Sequence, residues 1–337
     1  MSDPARWRMI SIGVGLLALT GRVAAAEDFY KGKTITVIVG SAAGGGYDLH
    51  GRLVGRHIGR HIPGQPTLVA QNMPGAGSIV ATNYIYEKAA HDGTAMGISS
   101  PSIALLDALG SKGVRFDSTK LNWIGRVASI VNVTFTRRDS KVKSLEGAQK
   151  TETLIGGISA SSPLSLYPKV MNAVTGTKFK LITGYAGSKA TVLATERGEV
   201  DGTTASLSTL AGAPDWRRTS GYNILVQYTM NRHRDIPDVP SAMEFAKTDD
   251  DRKIIGLYVN GADVGYSIMT TPGVPADRIG QLRRSFDAML ADTMFLSDVK
   301  KLGVAFDPLS GEKLQVLIQQ TLDLSPEVKA RARAASQ

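Results

Sequence analysis

Residues 34–48 read TITVIVGSAAGGGYD, and residues 67–78 read TLVAQNMPGAGS. Each stretch is a run rich in β-branched residues that ends in a glycine-rich turn. A helical pattern follows each turn, over residues 48–61 and 78–90. This repeated order of strand, turn and helix predicts parallel strands joined by helices.

A similar unit recurs in the middle of the chain. Strand-like runs at 153–158 and 179–183 are each followed by a turn and a helical pattern, over 163–174 and 189–198. The chain therefore contains two α/β halves, and we predict an α/β fold with two lobes, each a mostly parallel sheet flanked by helices.

A segment in the middle of the chain and the helices near its end indicate how the lobes are connected. The strand-like segment 131–139 follows the first half and is placed to cross to the second lobe. Late helical patterns at 275–292 and 312–322 suggest that the chain returns to the first lobe. We predict that lobe 1 comprises 27–130 plus 240–337 and that lobe 2 comprises 131–239.

The first 26 residues have the pattern of an export signal. Arg6 and Arg8 precede an apolar core at 9–19, and an A-x-A cleavage site follows at 24–26. A membrane anchor would need about 20 apolar residues, and Arg22 interrupts any extension of the core. We predict a signal peptide, residues 1–26, cleaved near Ala26, and a periplasmic protein.

Composition excludes several kinds of chemistry. The chain has no cysteine, so thiol catalysis, cysteine-bound zinc and disulfide scaffolds are excluded. Lys and Arg outnumber Asp and Glu by 39 to 30, but they are scattered, apart from a stripe at Arg52, Arg56 and Arg60. We predict no nucleic-acid partner, whereas the positive net charge favours contact with small anions.

The turns after the strands are the candidate ligand site. Open α/β sheets bind ligands at the carboxyl ends of their strands, and free N–H groups at a helix start bind anions. The first two turns face each other across adjacent strands, so their amides can hold one carboxylate together. The candidate residues on these turns are Gly44, Gly45, Gly46, Tyr47, Gly75, Ala76, Gly77 and Ser78.

Familiar catalytic and cofactor motifs are absent from the sequence. Gly46 and Tyr47 replace the Lys and hydroxyl residue of a P-loop, and the second strand ends without the acidic residue of a dinucleotide site. His57 and His61 have zinc-like spacing, but Ile58 replaces the glutamate of a metalloprotease. We predict no catalytic residue, no metal and no cofactor, and therefore no enzyme.

Polar residues beside the turns have structural as well as functional interpretations. Asp48 lies where a helix N-cap belongs, and Ser162 before Pro163 has the same pattern. Ser78 could be a cap or a ligand contact. Ser159 and Ser161 remain candidate contacts from the second lobe, and Asp201 could contact a polar end of the ligand or hold a turn.

The sequence resembles a known family of receptors. The matching stretches are 41–48 with Arg52 one turn later, 72–77, and 92–94, and 185–188 and 198–201 resemble later landmarks of the same family. These are the substrate-binding receptors of tripartite tricarboxylate transporters, the Bug receptors. The resemblance implies a periplasmic binding protein fold with the ligand in a cleft between the lobes.

The resemblance also implies a function and a set of contacts. Such a receptor, expected as a monomer, closes over a small organic carboxylate and delivers it to membrane permease subunits. The first two turns would hold the carboxylate through backbone amides, and the second lobe would read its distal part. The second-lobe residues assigned in this way are Ser159, Ser161, Tyr185 and Ser188, with Asp201 as the further candidate.

Two positions depart from the family pattern. Tyr47 stands where a small hydroxyl residue is common, and Ser78 stands where glycine is common. Because no cation lies in either turn, we expect a mono- or dicarboxylate with an apolar or aromatic body beside Tyr47, rather than a tricarboxylate. Alternatively, Tyr47 points to solvent and the ligand is an ordinary short diacid. A sensor that docks on a signalling kinase and an exported α/β enzyme are the alternative functions.

Overall fold

The structure is a computed structural model, and it describes residues 29–158, 162–210 and 221–336. The predicted signal peptide and the candidates Ser159 and Ser161 lie outside these residues. The first sheet has the strand order β11-β4-β10-β3-β1-β2. Its strands are β1 (Thr34–Val39), β2 (Thr67–Asn72), β3 (Ala95–Ile98), β4 (Asn122–Arg126), β10 (Ser267–Thr270) and β11 (Leu309–Ser310).

The second sheet has the order β7-β6-β8-β5-β9. It contains β5 (Asn132–Arg137), β6 (Thr153–Gly157), β7 (Phe179–Thr183), β8 (Gly202–Ser206) and β9 (Tyr222–Tyr228). Strand β5 runs against its two neighbours, and in the first sheet β10 and the short β11 run against theirs. The remaining strands share one direction within each sheet, so both sheets are mixed, with more antiparallel pairings than the sequence predicts. The predicted α/β fold of two sheets flanked by helices is confirmed.

Helices flank both sheets. The first half contributes α1 (Gly46–Ile58), α2 (Ile79–Glu87) and α3 (Ile103–Ala108). The second sheet carries α4 (Leu145–Lys150), α5 (Pro163–Thr175), α6 (Ser188–Arg197) and α7 (Leu207–Leu210). The last part of the chain forms α8 (Asp249–Val264), α9 (Ala276–Leu290), α10 (Thr293–Leu302), α11 (Gly311–Leu322) and α12 (Pro326–Ala335). Short 3₁₀ turns lie at Gly59–His61, Ala76–Ser78 and Ala242–Phe245.

Alternation along β1 explains why this strand lies inside the first sheet. Ile35 and Val37 are buried in one core cluster with Leu53 of α1. Ile38 points to the other face and packs in a second cluster with Ile85 of α2. A strand covered by helices on both faces needs apolar residues on both, which the run TITVIV supplies.

Two chain segments join the sheets and lie side by side. Residues 127–131 link β4 to β5, and residues 265–266 link α8 to β10. The N–H of Val127 donates to Tyr266 O at 3.0 Å, and the N–H of Tyr266 donates to Ala128 O at 2.8 Å. These hydrogen bonds make the two crossing segments a single paired connection between the sheets.

The late helices are divided between the two cores. Leu314 and Ile318 of α11 pack in the cluster that contains β1 residue Ile38. Ile254 of α8 and Val328 of α12 instead share a cluster with residues of α4, α5 and β9. The lobe boundaries expected from the sequence stay a prediction. In the described ranges, no helix is both long and apolar enough to span a membrane.

Candidate ligand-binding cleft

A cavity of about 430 Å³ lies between the two sheets and is lined by residues from both. The carboxyl ends of β1 and β2 open into it from one side, and β5 and β8 contribute from the other. Its first-lobe wall contains Gly40, Ser41, Gly46, Tyr47, Pro74, Gly75, Ala76, Gly77, Ser78, Ser100, Pro101, Ser102 and Leu105. The other lining residues are Ile130, Asn132, Ile158, Ser162, Leu164, Tyr167, Ser188, Ser206, Tyr258, Gly261 and Tyr266.

The first glycine turn, residues 40–45, places the start of helix α1 at this cleft. Gly45 is the N-cap, and it provides no side chain to accept a hydrogen bond from the first turn of the helix. The N–H groups at the helix start therefore remain available to an anion, and the helix dipole favours negative charge there. Gly46 and Tyr47, the first two residues of the helix, line the cleft.

Asp48 is not the N-cap that the sequence predicts, because the helix begins two residues earlier, at Gly46. One Asp48 oxygen accepts from the N–H of Gly44 at 2.9 Å, so the carboxylate closes back on the preceding turn. The other oxygen accepts from Arg52 Nε at 2.9 Å and Asn72 Nδ2 at 2.8 Å. Asp48 thus shapes the first turn from inside the helix.

Hydrogen bonds around Asp48 tie both glycine turns together. Asn72, at the end of β2, donates to Ser41 O at 3.0 Å and accepts from Arg52 Nη2 at 2.9 Å. The bond from Arg52, followed by that from Gly44, lowers the pKa of Asp48 to about 2. The carboxylate therefore stays ionised and holds its three donors at neutral pH.

The second turn has an unusual backbone conformation. Gly75, Ala76, Gly77 and Ser78 have φ values of 141°, 46°, 64° and 77°, all in the region that L side chains rarely adopt. All four residues line the cleft. Such a turn directs backbone amides toward a concave surface where an anion can bind.

The hydroxyl of Ser78 is used within the first lobe. It donates to Gly40 O at 2.8 Å and accepts from the N–H of Ser100 at 2.9 Å. Ser78 forms no side-chain cap on α2. The cap interpretation of Ser78 is therefore wrong, since the hydroxyl joins the ends of β1 and β3. The ligand contact stays a prediction, and Ser78 lines the cleft.

The ring of Tyr47 faces the cleft and not bulk solvent. Its centroid lies 5.5 Å from that of Tyr266, and the residue lines the cleft beside Ser100. Burial raises the pKa of the Tyr47 phenol, so the phenol stays neutral. Tyr47 thus forms a fixed aromatic wall beside the start of α1.

The second lobe presents an aromatic and hydroxyl-rich wall. Tyr167 stacks on Tyr228 at 4.1 Å between ring centroids, and Asn132 donates to the Tyr167 hydroxyl at 3.3 Å. Ser162 is the N-cap of α5, as predicted, and accepts from Ser165 N at 3.3 Å. Ser188 begins α6 behind Gly187, an N-cap without a side-chain bond.

Four described candidates lie outside the cleft wall. Gly44 borders a shallow pocket beside Arg52 and Arg56 instead, and Gly45 is absent from the wall of either pocket. Asp201 accepts from Leu154 N at 2.8 Å and holds β6 beside the turn before β8. Tyr185 lies beside Glu199, and burial is the main cause that raises the pKa of its phenol.

Several lining residues were not singled out from the sequence. Tyr167, Tyr258 and Tyr266 lie on α5, on α8 and in the second crossing segment. Isolated tyrosines belong to no motif, and only the folded chain brings them together. Among the described residues of the cleft wall, none is Asp, Glu, Lys, Arg or His.

The profile of a known protein family, described as the tripartite tricarboxylate transporter family receptor (TctC), matches residues 54–316. The chain belongs to this family. The matched span begins after the first glycine turn and includes the second turn and all of the second sheet. A comparison with curated protein sequences gave no match.

Several solved structures, one of them a TctC protein, share the fold. A TctC solute-binding protein from Polaromonas, solved without ligand, is 19% identical with a TM-score of 0.67, and the match covers 90% of this chain and 98% of that chain. MatC from Rhodopseudomonas palustris, with bound malate, is 18% identical with a TM-score of 0.62, over 90% and 99%. An R. palustris protein with adipate is 20% identical with a TM-score of 0.63, over 89% and 97%. The two-lobed periplasmic binding protein fold of this chain is thus the fold of TctC receptors.

Proposed function

We propose that this protein is a periplasmic receptor that binds a small organic mono- or dicarboxylate in the cleft between its lobes. It then delivers the ligand to the membrane subunits of a tripartite tricarboxylate-type transporter. Membership of the TctC receptor family supports binding without turnover, and two structural relatives were solved with malate and with adipate.

The observation that carries this proposal is the chemistry of the cleft wall. Two turns line the cleft where β1 and β2 end: the first starts a helix whose N-cap makes no side-chain bond, and the second has left-handed backbone. The described wall contains no charged side chain that could compensate a ligand's charge. Backbone amides and the dipole of α1 therefore supply the positive potential, which suits one carboxylate better than three.

The remainder of the wall selects the body of the ligand. Tyr47 and Tyr167 contribute rings from opposite lobes, and Leu105 and Leu164 add aliphatic surface. An apolar or aromatic body between these residues gains favourable burial without leaving a polar group unpaired. At the second lobe Ser188, together with Ser159 and Ser161, would read a distal polar group.

A thermal-shift panel tests the ligand class. Benzoate, adipate, malate and citrate are compared on wild-type protein and on Tyr47→Ala. A ligand at 100 times its dissociation constant stabilises the folded protein by about 2.7 kcal/mol, which shifts the unfolding midpoint measurably. We expect stabilisation by a mono- or dicarboxylate that weakens in Tyr47→Ala. Stabilisation by citrate alone, unchanged in that variant, would refute the assignment.

Export is a separate part of the proposal. The charged start, apolar core and A-x-A site of residues 1–26 favour cleavage near Ala26 and release into the periplasm. Amino-terminal sequencing of protein recovered from a periplasmic extract should begin close to residue 27. Recovery of an uncleaved chain from the membrane fraction would contradict this.

A further inference from the structure

Tyr266 occupies the connection between the lobes and the wall of the cleft at the same time. Its N–H donates to Ala128 O at 2.8 Å, and its carbonyl accepts from Val127 N at 3.0 Å. Its backbone is therefore paired on both sides with the other crossing segment. Its side chain leaves this connection and lines the ligand cleft.

The Tyr266 ring supports the first residue of α1 directly. It stacks on His50 with 3.6 Å between centroids and 6° between planes. His50 Nδ1 lies 2.8 Å from Gly46 O, so the neutral imidazole donates its proton there. A Cβ added to Gly46 would lie 2.7 Å from the Tyr266 hydroxyl oxygen, closer than real contacts allow. The free N–H groups at the start of α1, which we call the nest at Gly46, and the Tyr266 ring are thus packed against each other.

We propose that Tyr266 is a positioning residue that couples the nest at Gly46 to the angle between the two lobes. The ring is confined by its stack on His50 and by the close approach of Gly46, so a push on the ring is transmitted to the backbone of Tyr266 and to the crossing segment paired with it. Conversely, a change in interlobe angle carries the ring toward or away from the nest. This coupling rests on the proposed function only in taking the cleft as the ligand site.

The absence of cysteine makes the coupling measurable without a ligand. Lys88→Cys at the end of α2 and Lys180→Cys on β7 place one exposed label on each lobe, and no other thiol competes. Electron-spin distance measurements then report the interlobe separation. The test variants in this labelled chain are Gly46→Ala, Tyr266→Phe and the two combined, with Gly45→Ala as the matched control.

The geometry predicts a shift for Gly46→Ala alone and little or none for the other variants. Gly46→Ala should shift the distance maximum, because its Cβ pushes the Tyr266 hydroxyl. Gly45→Ala should leave the maximum unchanged, since its Cβ would meet only Ala42 O at 3.7 Å and Ser41 Oγ at 3.8 Å. Tyr266→Phe alone should stay near wild type, and in the double variant it should largely reverse the shift, since the nearest ring atoms are 3.3 Å away.

Two outcomes would overturn the proposal. One is a distance distribution that is the same in Gly46→Ala and wild type; the other is a shift that Tyr266→Phe does not reverse. If Gly46→Ala fails to fold by circular dichroism, Tyr266→Leu, which removes the ring from His50, must shift the distribution or the proposal is wrong. Because no ligand is added, failure of the carboxylate panel and failure of this coupling are distinguishable.

Discussion

Ser78 shows how a single buried hydroxyl holds the second turn in place. The side chain is 2% exposed and joins Gly40 O to the N–H of Ser100. A Cβ at Gly40 would meet the Ser78 hydroxyl at 2.7 Å, so the two residues are in closest contact only because residue 40 is glycine. The position of the second turn, residues 75–78, depends on this contact.

We therefore expect Ser78→Ala to destabilise the protein. The substitution leaves a buried carbonyl and a buried N–H without their partner, which costs about 1 to 3 kcal/mol in the free energy of unfolding. Chemical denaturation measures the change. Ser41→Ala, whose hydroxyl bonds only to the neighbouring Ala42 O, should change stability by less than about 0.5 kcal/mol. Equal effects of the two substitutions would show that the Ser78 bonds contribute nothing.

Asp48 makes a pH-dependent contribution. Its folded-state pKa of about 2 lies below the ordinary value of 3.8, so the folded protein favours the charged form. The stabilisation is complete above pH of about 4 and is lost as pH falls through about 2. The stability difference between wild type and Asp48→Ala should shrink over that interval. Asp139→Ala, which removes an exposed ion pair with Arg137, serves as the control. A difference that is independent of pH would contradict this.

At the scale of elements, local signals were sufficient for some segments and insufficient for others. The strand Phe179–Thr183 agrees with its predicted bounds, and Thr34–Val39 is the β-branched run before the first glycine turn, because such runs ending in glycine are local patterns. The four-residue strand Ala95–Ile98 was missed, since a short buried run has no distinctive period. Helix α8 was also missed, although Thr248 and Asp251 form a capping box that the sequence could have revealed.

The sequence also predicted some residues of the cleft and not others. The two glycine turns were recognisable because glycine and the helix starts beside it are adjacent in sequence. Tyr167 and Tyr266 were not, because they reach the cleft only through packing between distant segments. The sequence predicts Asp48 as the N-cap, but the helix begins at Gly46, so Asp48 lies within its first turn. The bounds of a helix are uncertain by about one or two residues from sequence, and the cap residue depends on them.

Gly265 makes the paired crossing segments possible. Its φ is 54°, and an added Cβ would lie 2.1 Å from Ala128 O. Gly265→Ala should therefore lower the free energy of unfolding by about 1 to 3 kcal/mol for the backbone conformation alone. Gly256→Ala within α8, with only Met243 Cε at 3.9 Å, should instead stabilise by about 0.5 to 1 kcal/mol. Urea denaturation distinguishes the two, and an unchanged midpoint for Gly265→Ala would refute its structural role.

At the scale of the whole molecule, the positive charge of the chain lies outside the described wall of the cleft. The chain has a formal net charge of +9, yet the described wall of the cleft contains no charged side chain. The positive surface raises the local concentration of anions, and the uncharged amide nest selects among them. A receptor built in this way would attract many acids and retain those whose carboxylate reaches both turns.

The most direct test of this account is mass spectrometry of the ligand released from gently purified protein, followed by rebinding. We predict a small organic acid with one or two carboxylates that rebinds to wild type in a one-to-one ratio. It should not bind Gly77→Val, whose side chain would stand in the approach to the second turn, where a Cβ meets no atom of the described residues within 4 Å. A released compound without a carboxylate, or an acid that binds Gly77→Val as tightly as wild type, would contradict the account.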